Sequence, residues 1–213
     1  MAKTVDADIK VGVVHTTINQ RGYYMKKCFL PFLLMGFTAL PALADPATDR
    51  VAASRGAVKE LQTTLVGELQ AAMKAGGPTN AIEVCNTKAS AIATELSKKN
   101  GLQIGRTSLK IRNAKNAPDA WETKVMKEFE TRKAKGEDPA ALEHSEVVTE
   151  GGKKTFRYMK ALPVAQGMPC PVCHGEKIDP KVRAKLEKLY PQDKAVGFKV
   201  GDLRGAVTIK QPL

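Results

Sequence analysis

Aromatic side chains, histidines and long apolar runs are all scarce in this chain. Of its 213 residues 5% are aromatic and three are histidine, although 34 basic residues face 22 acidic ones and give a net charge of +12. No basic cluster is interleaved with aromatic residues, so the positive charge does not predict nucleic-acid binding. The extended apolar run at 28–40 is too short for a stable membrane anchor. We therefore expect neither a nucleic-acid partner nor a stable anchor.

One short motif in the chain has a specific chemistry. Cys170-Pro171-Val172-Cys173-His174 places two thiols two residues apart with an imidazole directly after the second, which is the attachment signature of c-type haem. The spacing suits two sulfurs that add across two vinyl groups at one porphyrin edge, while the next residue reaches the iron. We expect one covalently attached haem, with Cys170 and Cys173 as thioether residues and His174 as the proximal ligand.

Two other uses of a Cys-x-x-Cys pair fit less well. A zinc site needs four ligands, and the other thiol after residue 44 is the distant Cys85. A thioredoxin-like dithiol opens a helix after a strand, whereas Pro163, Gly167, Pro169 and Gly175 predict a loop around this motif. The haem interpretation is therefore favoured over both.

Covalent haem attachment takes place outside the cytoplasm, and the sequence contains an export signal. It begins at Met25 with two lysines, continues through the apolar core 28–40, and ends in a small-x-small cleavage site whose last residue is Ala44. Residues 1–24 precede this signal and are expected to be untranslated, with synthesis starting at Met25, or to form an extended n-region. The expected domains are 1–24, a signal peptide at 25–44, and a single periplasmic haem domain at 45–213.

Cleavage after Ala44 has two consequences for the mature chain. Because residues 1–44 carry five basic and two acidic residues, a net charge of +9 remains, which suits an acidic redox partner or a well-solvated surface. Cys28 is lost with the signal and the haem uses two further thiols, which leaves Cys85 unpaired in an oxidising compartment. An unpaired exported thiol calls for an explanation.

Two long helices are expected at the start of the mature chain. Apolar residues recur at three- and four-residue steps up to Gly76-Gly77-Pro78, and again from an N-cap at Asn80 to Asn100-Gly101. The two apolar stripes are Val58, Leu61, Leu65, Leu69 and Met73, followed by Ile82, Cys85, Ala89, Ile92 and Leu96. Cys85 should therefore face inward.

The remaining segments mix strands with shorter helices. They are a strand over 102–111, a helix from about Pro118, a hairpin of 146–150 and 153–162 turned by Gly151-Gly152, a short helix from Asp179-Pro180, and strand material over 198–209. Hairpin connections without βαβ alternation favour an α+β fold, with helices packed on an antiparallel sheet. A small all-helical cytochrome is the competing interpretation.

The residues alone leave the second axial ligand of the iron open. A thiol, an imidazole and several thioethers are possible, and the candidates are Cys85, His144, Met73, Met126, Met159 and Met168. His144 lies in a polar run that is typical of a loop. Packing explains Met73 and Met159 equally well, Met168 is constrained by Pro169, and Cys85 is also interpretable as a small buried apolar residue.

Several segments together resemble a family of exported c-type haem proteins with a PAS-like fold and unknown function, which also occur as sensor portions of bacterial signalling proteins. The matching segments are 81–86, 106–113, 117–122, 161–164, 170–175 and 201–206. The resemblance implies an antiparallel PAS-like sheet with two long N-terminal helices. It also implies that His174 and Cys85 are the two axial ligands of the iron.

The expected function is that of a periplasmic c-type haem protein that senses redox state or a diatomic gas such as NO or CO through a low-potential His/Cys-ligated haem. A soluble electron carrier with little ligand change on reduction is the alternative. Haem-based catalysis ranks last, because His144 is the one other imidazole after residue 44. An unidentified redox or signalling protein would be the partner. Arg106 and Arg112 are candidates to pair with the haem propionates.

Overall fold

A computed structural model describes residues 46–213, so the expectations for 1–24 and for the signal peptide at 25–44 concern residues outside the described part. The helices are α1 (Pro46–Asn100), α2 (Ala120–Ala134), α3 (Cys170–His174) and α4 (Pro180–Leu189), and the strands are β1 (Gln103–Thr107), β2 (Glu143–Glu150), β3 (Lys153–Pro163) and β4 (Leu203–Pro212). None of the helices in 46–213 combines the length and apolar character that crossing a membrane requires.

The two expected N-terminal helices are two arms of the long helix α1. The backbone is non-helical at Gly76 and Gly77, and Gly77 has a φ of 70° that favours glycine. Asn80 was expected as an N-cap, but its side-chain amide instead donates to the Ala72 carbonyl at 3.0 Å, across the break. The arms run antiparallel, since Lys99 contacts Glu60 and Lys88 contacts Glu68.

The four strands form one antiparallel sheet in the order β1-β4-β3-β2. The hairpin between β2 and β3 turns at Gly151 and Gly152, which both have positive φ, as the sequence predicts. The α+β expectation is thus confirmed, and the two expected N-terminal helices are present as the arms of α1 on either side of Gly76-Gly77.

Helices cover both faces of this sheet. Val58, Leu61 and Leu96 of α1 pack with Tyr158 and Ile209 on one face, which we call the α1 face. Successive side chains along a strand point to opposite faces of the sheet, so Met159 and Ala206 lie on the other face. There they pack with α2 side chains, and we call this the α2 face. The α2 side chains are Val125, Met126 and Phe129. The helix expected near Pro118 is confirmed, with Asp119 and Glu122 forming a capping box.

Two strands are shorter than the sequence predicts. The strand expected over 102–111 ends at Thr107, because the Ser108 hydroxyl hydrogen-bonds to backbone groups of Lys110 and Arg204 and turns the chain away. The strand material expected from residue 198 begins at Leu203, because Asp202 closes a tight turn with Lys199 through backbone and side-chain hydrogen bonds.

A β-bulge in β4 redirects one side chain. Leu203 pairs with Pro163 and Gly205 pairs with Leu162, so Arg204 is an extra residue between them. Leu203 and Ala206 belong to the α2 face, whereas Arg204 and Gly205 both border a cavity beside α1. Gly205 is required here, because a Cβ atom would lie 2.4 Å from the Thr107 carbonyl oxygen of β1.

Candidate functional site

The Cys-x-x-Cys-His motif forms the one-turn helix α3, not the loop that its flanking prolines and glycines suggest. The segment that precedes β4 holds this turn in place. The Phe198 amide donates to the His174 carbonyl at 2.9 Å, and the Gly197 amide donates to the Gly175 carbonyl at 3.0 Å. The end of the motif is therefore tied to a distant part of the chain.

A cavity of about 420 Å³ lies between α1, the motif and one end of the sheet, where β1 and β3 end and β4 begins. Cofactor pockets commonly measure about 300–1,000 Å³ and are mostly apolar, and this cavity agrees with both features. Its wall includes apolar α1 side chains that the sequence assigned to core stripes, namely Leu65, Leu69, Met73 and Ile82. Cys170, Cys173 and His174 also line it, as does Cys85.

His174 is held in one ring orientation by its backbone surroundings. Its Nδ1 lies 2.8 Å from the Ala195 carbonyl oxygen and 3.1 Å from Nε of Arg204. One ring nitrogen cannot donate and accept at once, and a carbonyl can only accept, so we assign the proton to Nδ1 and its bond to Ala195. This tautomer leaves Nε2 unprotonated, as a metal-binding histidine requires.

Burial is the main reason why the pKa of His174 lies well below its ordinary value. The nearby charges of Arg204 and Arg112 lower the pKa further. The imidazole is therefore neutral in the folded protein, and the neutral form is the one that binds a metal.

Cys85 has an exposed surface, and that surface belongs to the cavity wall. The surrounding protein still shields the thiol from bulk water, so burial raises its pKa, with Arg106 and Arg112 acting in the opposite direction. The inward orientation expected from the helical stripe is correct. The neighbours Ile82 and Ala89 on the same stripe also line the cavity, but they are buried at 3% and 5% exposure, so Cys85 is the most open of the three.

Comparison with known proteins identifies the family. A family model described as Tll0287-like matches residues 6–212. The chain belongs to the Tll0287-like family. No curated protein matches it.

The fold of this Tll0287-like chain is similar to a solved structure, the crystal structure of the cyanobacterial haem protein Tll0287. The two chains are 24% identical, the alignment covers 79% of this chain and 97% of that one, and the TM-score is 0.59. At this identity the likeness concerns the fold. The resemblance drawn from the sequence is confirmed at the level of a haem-protein family, while the PAS-like description stays a prediction.

The cavity reduces the number of candidates for the second ligand. Met126 and Met159 are buried in the α2-face core, away from the cavity. His144 lies on β2, in a strand and not in the expected loop, and its ring nitrogens are each 3.5 Å from a carboxylate, Glu128 and Glu146. Cys85, Met73 and Met168 remain as cavity-lining candidates.

The two cysteines of the motif are half-buried and line the cavity. Burial raises the pKa of the Cys173 thiol. Because Cys170 opens the helix α3, the objection that the motif lies in a loop is wrong. The haem interpretation therefore depends on the motif with its adjacent histidine and on the family.

Sequence reasoning missed the residues that position the motif. Arg112 was considered as a ligand for propionates, but it forms an ion pair with Asp193 at 3.0 Å and donates to the Cys173 carbonyl at 2.6 Å and to the Ala195 carbonyl at 3.1 Å. The other oxygen of Asp193 accepts from the Ala195 amide at 2.8 Å. These bonds hold the carbonyl that orients His174. No local sequence pattern predicts these bonds, because the groups that Arg112 contacts are about 60 to 80 residues away in sequence.

Proposed function

We propose that this chain is a periplasmic c-type haem protein with one covalently attached haem. In this proposal Cys170 and Cys173 carry the thioether bonds and His174 and Cys85 are the axial ligands. The family membership supports haem binding, and the name of the structurally similar protein states that it is a haem protein. We further propose that the protein is a low-potential redox or diatomic-gas sensor.

The observation that carries the proposal is the convergence of four residues on one cavity. Two thiols and an imidazole from α3 line the same space as a thiol from the second arm of α1. The neutral His174 has its Nδ1 proton bound to Ala195 and its Nε2 available, and the wall around it is largely apolar. This donor set and these surroundings fit a haem held by two thioethers.

The residues of the cavity suggest how the redox properties are set. When bound, a haem supplies a centre for one-electron chemistry and for binding diatomic gases, and its axial ligands set its potential. Cys85 as a thiolate is a strong electron donor and would favour the ferric state. The potential should therefore lie well below that of a His/Met site.

The position of Cys85 also suggests a sensing mechanism. The residue lies on the second arm of α1, beyond the break at Gly76 and Gly77, so this arm has a joint that separates it from the first. We propose that Cys85 leaves its ligand position when the protein is reduced and a diatomic gas binds. Release of Cys85 would let the second arm shift against the sheet.

The covalent bond and the ligand are tested by spectroscopy on the exported protein. In acidified organic solvent, colour should remain with the polypeptide in the wild type and pass to the organic phase in a Cys170→Ala, Cys173→Ala double variant. Ferric optical and EPR spectra should show a thiolate-type low-spin signal in the wild type. Cys85→Ser should abolish that signal while the haem stays attached.

Two matched variants control for the other candidate ligands. Met73→Leu and Met168→Leu change cavity-lining thioethers and should leave the ferric spectrum as in the wild type. If either variant changes the axial signature while Cys85→Ser does not, the ligand assignment is wrong. If the wild-type protein loses all its colour on extraction, the haem is not covalently bound and this part of the proposal is wrong.

The sensor proposal is tested through gas binding to the reduced protein. Cys85→Ala should bind NO faster and more tightly than the wild type, because no ligand has to leave. Equal rates and affinities would contradict gating by Cys85.

A soluble electron carrier is the second candidate, favoured by the net charge of +9 that remains after residue 44. A carrier requires the same ligand set in both oxidation states. Fast reversible voltammetry with unchanged ligands, together with salt-sensitive reduction by an acidic partner protein, would support this role over the sensor.

The periplasmic location is tested by fractionation and N-terminal sequencing. The mature protein should be recovered outside the cytoplasm and begin at Asp45. A cytoplasmic product that retains residues 25–44 would contradict the export proposal.

A further inference from the structure

Three arginines reach the cavity, and one of them is fully engaged by the protein. Arg112 pairs with the carboxylate of Asp193 and donates to two backbone carbonyls, as described above. Arg106 and Arg204 also line the cavity. Neither forms an ion pair with a carboxylate within residues 46–213. Their positive charges are therefore not paired, in contrast to that of Arg112.

Arg106 has no hydrogen-bond acceptor in the described part of the chain. It projects from β1 into a site shielded from bulk water, and burial lowers its pKa, with the electrostatic influence of Cys85 and Tyr190 acting in the opposite direction. A guanidinium has five N–H donors, and leaving such a group desolvated and unpaired is unfavourable. The side chain is thus suited to an acceptor that the protein does not supply.

Arg204 reaches the same cavity by way of the bulge in β4. Its Nη1 lies 3.1 Å from the Ser108 hydroxyl and 3.4 Å from the Lys110 carbonyl, and its Nε faces a ring nitrogen that already donates to Ala195. Burial, followed by the charges of Arg112 and Arg106, lowers its pKa to about 10. Ser108 holds the bulge by donating to the Arg204 carbonyl at 2.8 Å. The direction of this side chain is therefore fixed, while its charge is not neutralised.

We infer that Arg106 and Arg204 bind the two carboxylates of the porphyrin, and that Arg112 does not. This inference rests on the proposed haem function. On sequence alone, Arg106 and Arg112 are the two candidate partners of the propionates. The inference keeps Arg106 and replaces Arg112 with Arg204, because Asp193 and two carbonyls already bind Arg112. Two guanidiniums without carboxylate partners in a desolvated cavity select a ligand with two carboxylates over the same ligand in neutral form.

The test uses the full chain produced without haem and two metal-free probes, protoporphyrin and its dimethyl ester. Neither probe can be ligated by His174 or Cys85 through a metal, so the comparison isolates the carboxylates. The wild type should bind the diacid more tightly than the diester, by about 10- to 100-fold for each carboxylate paired with an arginine. Fluorescence titration gives both affinities.

The variants Arg106→Met and Arg204→Met should each remove a large part of this preference by lowering the affinity for the diacid more than the affinity for the diester. Arg106→Lys should restore part of it, since it keeps the charge without the planar fork. Arg183→Met, which changes an exposed arginine on α4, should retain the full preference. If Arg204→Met does not fold, Arg106→Met still tests the inference, because its side chain makes no hydrogen bond within residues 46–213.

Several outcomes would overturn the inference. Equal affinity for diacid and diester in the wild type would do so, as would a preference that survives both methionine variants. Tight, arginine-dependent binding of glutarate with no porphyrin preference would assign the pair to a small dicarboxylic acid instead. Failure of the proposed function would give a different result. The exported protein would then lack covalent haem, even if haem-free protein still preferred the diacid.

Discussion

Arginines on the two faces of the sheet differ in whether the protein supplies carboxylates to pair with them. On the α2 face, Arg157 is 1% exposed and is surrounded by three carboxylates, Asp119 at 2.8 Å, Glu122 at 3.2 Å and Glu150 at 2.8 Å. Its guanidinium also lies 4.1 Å from the ring centroid of Trp121. The protein itself thus supplies the opposite charge that this cation needs.

On the cavity side, Arg106 and Arg204 are also shielded from water but have no carboxylate partner in residues 46–213. The difference indicates two roles for the same residue type. Arg157 joins α2 to the sheet and stabilises the fold, whereas Arg106 and Arg204 keep their charge available to a ligand. A buried cation without a partner is therefore more informative about function than one with three partners.

The largest expected effect is the loss of Arg157. Arg157→Met leaves the buried carboxylate of Glu122 without its cation and should lower the free energy of unfolding by about 3–5 kcal/mol. Urea denaturation of the full chain measures this change. Arg183→Met removes an exposed arginine of α4 and should change the same quantity by less than about 1 kcal/mol. Equal losses in the two variants would contradict the structural role of the α2-face cluster.

Gly205→Ala should have the next largest effect, and it acts on the cavity side. The added Cβ would meet the Thr107 carbonyl oxygen at 2.4 Å, so β1 and β4 must separate next to the bulge that directs Arg204. We expect a loss of about 1–3 kcal/mol in the free energy of unfolding. The diacid preference in the porphyrin titration should fall with it.

Gly105→Ala is the matched control on the same pair of strands. Its Cβ would meet the Thr208 methyl group at 3.2 Å, a side-chain contact that can adjust. The expected change is below about 1 kcal/mol, with the diacid preference intact. A larger loss for Gly105→Ala than for Gly205→Ala would show that the backbone contact at Gly205 is not limiting.

A smaller effect of opposite sign is expected for Arg106→Met in haem-free protein. Replacing a desolvated, unpaired cation with an apolar side chain should leave the free energy of unfolding unchanged or raise it by up to about 1 kcal/mol. The same urea experiment measures this. A loss similar to that of Arg157→Met would mean that Arg106 has a structural partner, and it would remove the contrast between the two faces.

The smallest expected effect is on the acid limb of stability. Burial acts to raise the pKa of Asp119, but its bonds to Arg157 and to the Glu122 amide outweigh this and lower the pKa from its ordinary value of 3.8. Its stabilising contribution is therefore present above that value and is lost as the pH falls through the lower folded-state pKa. Between pH 5 and pH 2, Arg157→Met should lose stability less steeply than the wild type.

An internal control for this pH experiment comes from Asp202, a carboxylate that does not contact Arg157. The pKa of Asp202 is lowered mainly by the Lys199 backbone amide, and this contact is present in both proteins. Some acid sensitivity should therefore remain in Arg157→Met. Identical slopes in the two proteins would show that Asp119 does not contribute to the acid limb.

Local patterns in the sequence were sufficient for much of the fold. The helix break at Gly76-Gly77, the helix from about Pro118 and the hairpin at Gly151-Gly152 depend on neighbouring residues, and the structure confirms each. The spacing of Cys170, Cys173 and His174 likewise predicts the haem chemistry without knowledge of the fold. The limits of β1 and β4 were wrong, because the Ser108 hydroxyl and the turn at Asp202 end the strands by contacts that alternation does not encode.

By itself, the sequence determined the α+β class, the family and the attachment motif, since these depend on periodicity and short spacings. The tertiary structure alone decided that Arg112 is neutralised by Asp193, that Arg204 enters the cavity through a bulge, and that Met126 and Met159 lie in the α2-face core, away from the cavity. The physical reason is that charge pairing and cavity lining join residues from distant parts of the chain. Whether a buried cation has a partner is therefore decided by the packing of strands and helices, and no local pattern records it.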